Sequence, residues 1–168
     1  MDLLHEKPFA QITVQDILER APVNRSTFYK YYSGKSDLAG KMIADFKAEY
    51  SQSILTRFQA GRFDTFLNMM SEASDWIHSR RRLIIALWKV DTCRRHLYRD
   101  MHKLIKQQFL RFAHTLPNVT PDKDWDYQAD MFATLILSNM SYFFSRDLPL
   151  RVSEVRQAWM EMSQLLLT

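Results

Sequence analysis

Apolar residues recur along this chain at helical spacing and are interrupted at only a few places. Met1 to Glu6 reads as the end of a helix, broken by Lys7-Pro8. Val14, Ile17 and Leu18 then share one face, and Thr13 ahead of them can cap the backbone N–H of Asp16. Asp16 itself suits the positive end of that helix. The helix must stop before Pro22, because the residue preceding a proline is driven out of helical angles. Asn24 caps a third helix with Phe28 and Tyr31 or Tyr32 facing inward, and Ser33-Gly34 ends it. A longer helix follows from about Lys35 to Phe58, with Leu38, Met42, Phe46 and Tyr50 in line.

The same periodicity continues downstream. Phe63 to Ser79 forms a helix with Phe66, Leu67, Met70, Ala73 and Ile77 inward, and Leu83 to Val90 a short apolar one. Arg94 to Leu116 is amphipathic, with Leu97, Met101, Leu104, Ile105, Gln108 and Phe112 recurring on one side. After the break at 117–121, Asp122 to Arg146 is apolar on nearly all sides between Met131 and Phe144. Pro149 interrupts, and Ser153 begins a last helix with Val155, Trp159, Met162, Leu165 and Leu166 on one stripe. The expected fold is all-α, of about nine helices.

Composition narrows this further. Hydrophobic residues make up 46% of 168, with 3 glycines and 5 prolines, which excludes a disordered or turn-rich all-β chain. No apolar run reaches the roughly 18 residues of a membrane helix, so no membrane partner is expected. Cys93 is alone and cannot form an internal disulfide, which favours the reducing cytoplasm. Charge is unevenly spread. Residues 80–114 hold 10 basic groups against 2 acidic ones, and residues 20–35 hold Arg20, Arg25, Lys30 and Lys35 with no acid. The latter segment suits a phosphate-facing surface, whereas the former reads as the wet face of a helix. Arg80-Arg81-Arg82 reads as a solvated corner just before a helix start.

Two short helices with a tight connection, the second rich in small polar and basic residues, suit the major groove. Arg25 can fork onto guanine, Ser26 permits close approach, and Thr27 can bond a base edge or pack on thymine. Tyr29 and Lys30 can reach phosphates. The string from Ile12 to Leu38 closely resembles the DNA-binding domain of the tetracycline-repressor (TetR) family: a Thr-Val start, Ile17 and Ala21, Thr27-Phe28-Tyr29, a following aromatic, and Lys35 before an acid and Leu38. The resemblance implies that Thr13 and Lys35 touch phosphates, that Tyr29 presses on the backbone, and that Arg25, Ser26 and Thr27 read bases. It also implies a helix-turn-helix domain at 1–46 and a helical effector-binding and dimer-forming domain at 47–168. Pro22 stands where the family usually has a turn glycine, and only the last turn of the family's first helix is expected before Lys7.

Within the second domain, Met69, Met70, Trp76, Trp88, Met101 and Phe112 fall on inward stripes that, in similar proteins, surround an effector cavity. Met131, Phe132, Leu135, Ile136, Met140, Phe143, Trp159, Leu165 and Leu166 make the last two helices too apolar for a solvated surface. The expected assembly is therefore a homodimer through these helices, which is also what the resemblance implies. His5, His78, His96, His102 and His114 show no metal spacing, and no glycine-rich phosphate loop or catalytic constellation is nominated. No metal, cofactor or enzymatic activity is expected. The chain reads as a cytoplasmic transcription regulator, a repressor of a palindromic operator in double-stranded DNA relieved by a small-molecule effector. The competing reading is a dimeric ligand-binding or co-regulator protein with impaired DNA binding, motivated by the short first helix.

Overall fold

A computed structural model describes residues 1–55, 74–90, 92, 96–115 and 124–165. The helices are α1 (Asp2–Glu6), α2 (Val14–Arg20), α3 (Arg25–Tyr31), α4 (Lys35–Leu55), α5 (residues 74–79), α6 (Arg81–Trp88), α7 (Leu97–Ala113), α8 (Trp125–Ser145) and α9 (Val152–Leu165). A single 3-10 turn, Phe9–Gln11, lies between α1 and α2. The expected all-α architecture is the one found.

Local chemistry sets the boundaries. Thr13 Oγ1 accepts from the Asp16 N–H at 3.1 Å while the Asp16 carboxylate accepts from the Thr13 N–H at 2.7 Å, so α2 opens with a reciprocal capping box. The connection beyond α2 closes around Pro22, with the Val23 N–H donating to Ala21 O at 2.6 Å. This is a γ-turn pattern, so the glycine that the family places here is not required. Asn24 Oδ1 accepts from the Ser26 N–H at 3.0 Å and starts α3. The Ser33 N–H donates to the Asp37 carboxylate at 3.0 Å, which secures the start of α4. At the other end of the fold, α8 closes in a Schellman turn: Leu148 N–H donates to Phe143 O at 2.9 Å and Asp147 N–H to Phe144 O at 3.2 Å. Asp147 occupies the left-handed region there, at φ 55°.

One buried cluster holds the chain together. It runs from Leu4, Phe9 and Ile12 through Ala39, Ile43, Phe46 and Tyr50 on α4 to Ile84, Leu87, Leu97, Met101 and Leu137. α7 and α8 pair antiparallel along their length, with α6 packed against both. Their outer edges are tied by Lys106, which bonds Asp126 at 2.9 Å and Asp130 at 3.2 Å, and by His102 against Thr134 at 3.1 Å.

Several expectations are corrected. Ile136 and Met140 do not lie on the outer face of α8; both sit in the buried cluster, Met140 only 1% exposed, because α8 turns this side toward α6 and α7. Tyr31 points outward at 66% exposure. Tyr32 follows the helix in extended geometry and lays its ring against Phe28 at 5.5 Å, taking the inward place instead. Of the basic triplet, Arg82 is exposed as expected, whereas Arg80 and Arg81 are engaged within the fold. Arg80 stacks over Trp76 at 4.1 Å and pairs with Glu49 at 3.1 Å, while Arg81, already in the first turn of α6, pairs with Asp147. The Arg81 guanidinium holds the Asp147 carboxyl below its ordinary range. Met69, Met70, Cys93 and Leu166 lie outside the described residues.

Candidate DNA-reading site

The site is built on α3. Phe28 is its one buried side chain, at 5% exposure, and it fixes the helix against the fold. Arg25, Ser26, Thr27, Tyr29 and Lys30 are all exposed around it. No acid lies in the first turn of α3, so no carboxylate competes with DNA for the basic groups there. Arg25 places its guanidinium carbon 5.8 Å from the Tyr29 ring, and Lys30 its ammonium 5.6 Å from the Tyr31 ring. These cation–aromatic contacts preorganise two long side chains on the outer face. Ser26 Oγ lies 3.2 Å from Asn24 Oδ1, donating to the cap, which leaves its lone pairs free to accept.

The supports of α3 are ionic as well as apolar. Thr13 keeps its place at the start of α2, and Lys7 Nζ meets the Asp16 carboxylate at 2.7 Å. The Lys7 ammonium, with the Thr13 N–H and hydroxyl, lowers Asp16 from 3.8 to about 2. Arg20, in the last turn of α2, pairs with Glu6 of α1 at 2.8 Å. Lys35 is placed differently from the expectation. Its ammonium donates to the carbonyls of Phe9 at 2.9 Å, Ala10 at 2.8 Å and Ile12 at 2.6 Å, and lies 5.0 Å from the Phe9 ring centroid. All three of its donors are thus engaged within the fold. Phe9 O also accepts from the Ile12 N–H at 3.2 Å, and a cation suits the carbonyl end of such a turn. Sequence reasoning missed both lysines as supports. The Thr13/Asp16 spacing was legible, whereas nothing local to Lys35 shows that carbonyls 23 to 26 residues earlier will surround it.

Of the residues expected around an effector cavity, Met101 is buried and lines a groove of about 210 Å³ between α4 and α7. Trp76 stacks on Phe46 and Tyr50 at 6.1 and 6.4 Å. Trp88 packs edge-on to Tyr98 at 5.2 Å with its Nε1 buried and unpaired, and Phe112 is buried. Of the expected interface set, Met131 is exposed, Leu135 and Phe143 are half-buried, and Leu165 is 75% exposed. Phe132 and Trp159 are half-buried against one another, at 6.4 Å between rings. No group of three or more potential metal ligands exists among the described residues.

A capped pair of short helices joined by a proline turn, with its second helix anchored by one aromatic and exposing basic and hydroxyl groups, defines a helix-turn-helix of the DNA-reading class. A family model described as bacterial regulatory proteins, tetR family, matches residues 1–42 and supports a TetR family regulator. No curated protein and no solved structure matches the chain.

Proposed function

We propose that this chain is a homodimeric, sequence-specific transcription regulator that represses from a palindromic operator and releases it on binding a small-molecule effector. The observation that carries the reading is the outer face of α3: five exposed groups of the right chemistry, at 25–27 and 29–30, on either side of a single buried anchor, Phe28. Arg25, Ser26 and Thr27 read base edges, while Tyr29, Lys30 and Thr13 contact phosphates. Lys35 acts one step back, by holding the approach to α2 in place. Residues 1–46 serve as the reading head, and residues 47–168 as the effector-binding and dimerising body, in the cytoplasm.

Dimerisation runs through the outer faces of α8 and α9. Met131, Leu135, Phe143 and Leu165 are joined there by the exposed Tyr127, Tyr142 and Met162, and grouped apolar side chains of this kind suit an interface. A twofold axis through these helices sets two copies of α3 about 34 Å apart, one turn of DNA. Gel retardation on DNA taken from upstream of the chain's own gene tests the reading at low salt. A discrete dimer–DNA complex is expected, and a folded dimer that retards no fragment overturns it.

A further inference from the structure

The groove between α4 and α7 has features that packing alone does not require. Its base is Tyr50, only 2% exposed, with its ring held flat against Phe46 at 5.8 Å. No hydrogen bond from the Tyr50 hydroxyl is present among the described residues, and the residue lines the groove, where the hydroxyl is available to a ligand. Burial raises its pKa, so the hydroxyl stays protonated and able to donate. Lys103 and Gln107 stand on the α7 wall, and Met101 and Leu104 give the groove an apolar side. Lys47 on α4 reaches Asp100 on α7 at 2.7 Å across it. Two ammonium groups face one carboxylate, so one positive charge is in excess. The volume lies below the roughly 300–1,000 Å³ of pockets that hold drug-sized ligands.

We infer that this groove binds a small monocarboxylate with a short apolar tail, its carboxylate held by Lys103 and the Tyr50 hydroxyl and its tail laid on Met101 and Leu104. The inference rests on the regulator reading above and supplies the chemical class of its effector. The site is coupled to the head by α4 itself. Lys47 lies 12 residues from Lys35, about 18 Å along one continuous helix. A ligand that bridges Tyr50 on α4 and Lys103 on α7 changes how α4 is tied to α7, and the helix carries that change to the Lys35 anchor.

Titration calorimetry on the full chain with straight-chain monocarboxylates from butyrate to octanoate tests the site, with the matching primary amides as uncharged controls. Saturable binding of at least one acid, and at least tenfold weaker binding of its amide, is expected. Tyr50→Phe keeps the ring stack and removes only the hydroxyl; it and Lys103→Met should each weaken the acid at least tenfold. No binding of any acid to the folded chain, or unchanged affinity in both variants, overturns the inference. The titration uses no DNA, so its failure leaves operator binding untouched, and failed retardation leaves the site standing. Where operator binding holds, saturating acid should reduce retardation in the unaltered chain and not in Tyr50→Phe. Unchanged retardation at saturation refutes the coupling.

Discussion

Lys35 sets its ammonium 2.6 Å from the carbonyl oxygen of Ile12, the residue immediately before the cap of α2. The start of α4 is thereby fastened to the start of α2, and α3 hangs between the two. A charge that the sequence offers to DNA instead positions the helix proposed to read it.

Lys35→Met should therefore lower stability by about 1.5–3 kcal/mol, the range for hydrogen bonds to a charged group. It should weaken all DNA sequences alike while leaving the slope of log affinity against log salt unchanged. Thermal unfolding and fluorescence anisotropy over a salt series measure both. A slope reduced by about one would instead place Lys35 on a phosphate.

Arg25→Ala should cost on the order of 1–3 kcal/mol on cognate DNA and relax preference at one base pair of each half-site. Anisotropy against operators carrying single base changes reads this directly. Uniform weakening across those operators would assign Arg25 to the backbone.

Asp16 gives the reading head an acid-sensitive joint. Its carboxyl is lowered to about 2 from 3.8, so it binds protons less readily when folded. Its contribution is thus complete above about 3.8 and lost as the pH falls toward about 2. Asp16→Asn should be less stable than the unaltered chain at pH 6, and urea midpoints should show that gap shrinking between these two pH values. A gap independent of pH would contradict the ionic joint.

Met131→Glu with Leu165→Glu should convert the proposed dimer to monomers, since both side chains are exposed in the single chain at 44% and 75%. Sedimentation velocity reports the result; an unchanged coefficient with retained helicity rejects the interface. Trp159 suits this test less well, because its ring packs on Phe132 inside one protomer.

Much of the fold was legible because the punctuation is chemical. Thr13, Pro22 and Asn24 mark helix ends through hydrogen bonds and backbone angles that depend on near neighbours alone. Orientation was harder to read where a pattern is symmetric. Tyr31 and Tyr32 are both compatible with an inward face after Phe28, and the choice falls to Tyr32 because α3 ends at Tyr31. α8 is apolar all round, so its sequence carries no sign of which side meets α6 and α7; Ile136 and Met140 were misplaced for that reason. The α3 face was read correctly as exposed because its polar residues surround a single apolar one. The role of Lys35 was hidden, since its partners are backbone atoms without any sequence signature.

The buried cluster passes without a gap from Leu4 and Ile12, through Phe46 and Tyr50, into Ile84 and Leu137. Head and body therefore share one store of cohesion and should melt as a single calorimetric transition. Heat that loosens either loosens both, and a molecule that tightens the body should raise the melting temperature of the helices proposed to meet DNA. Thermal stability should then gauge occupancy of the proposed groove.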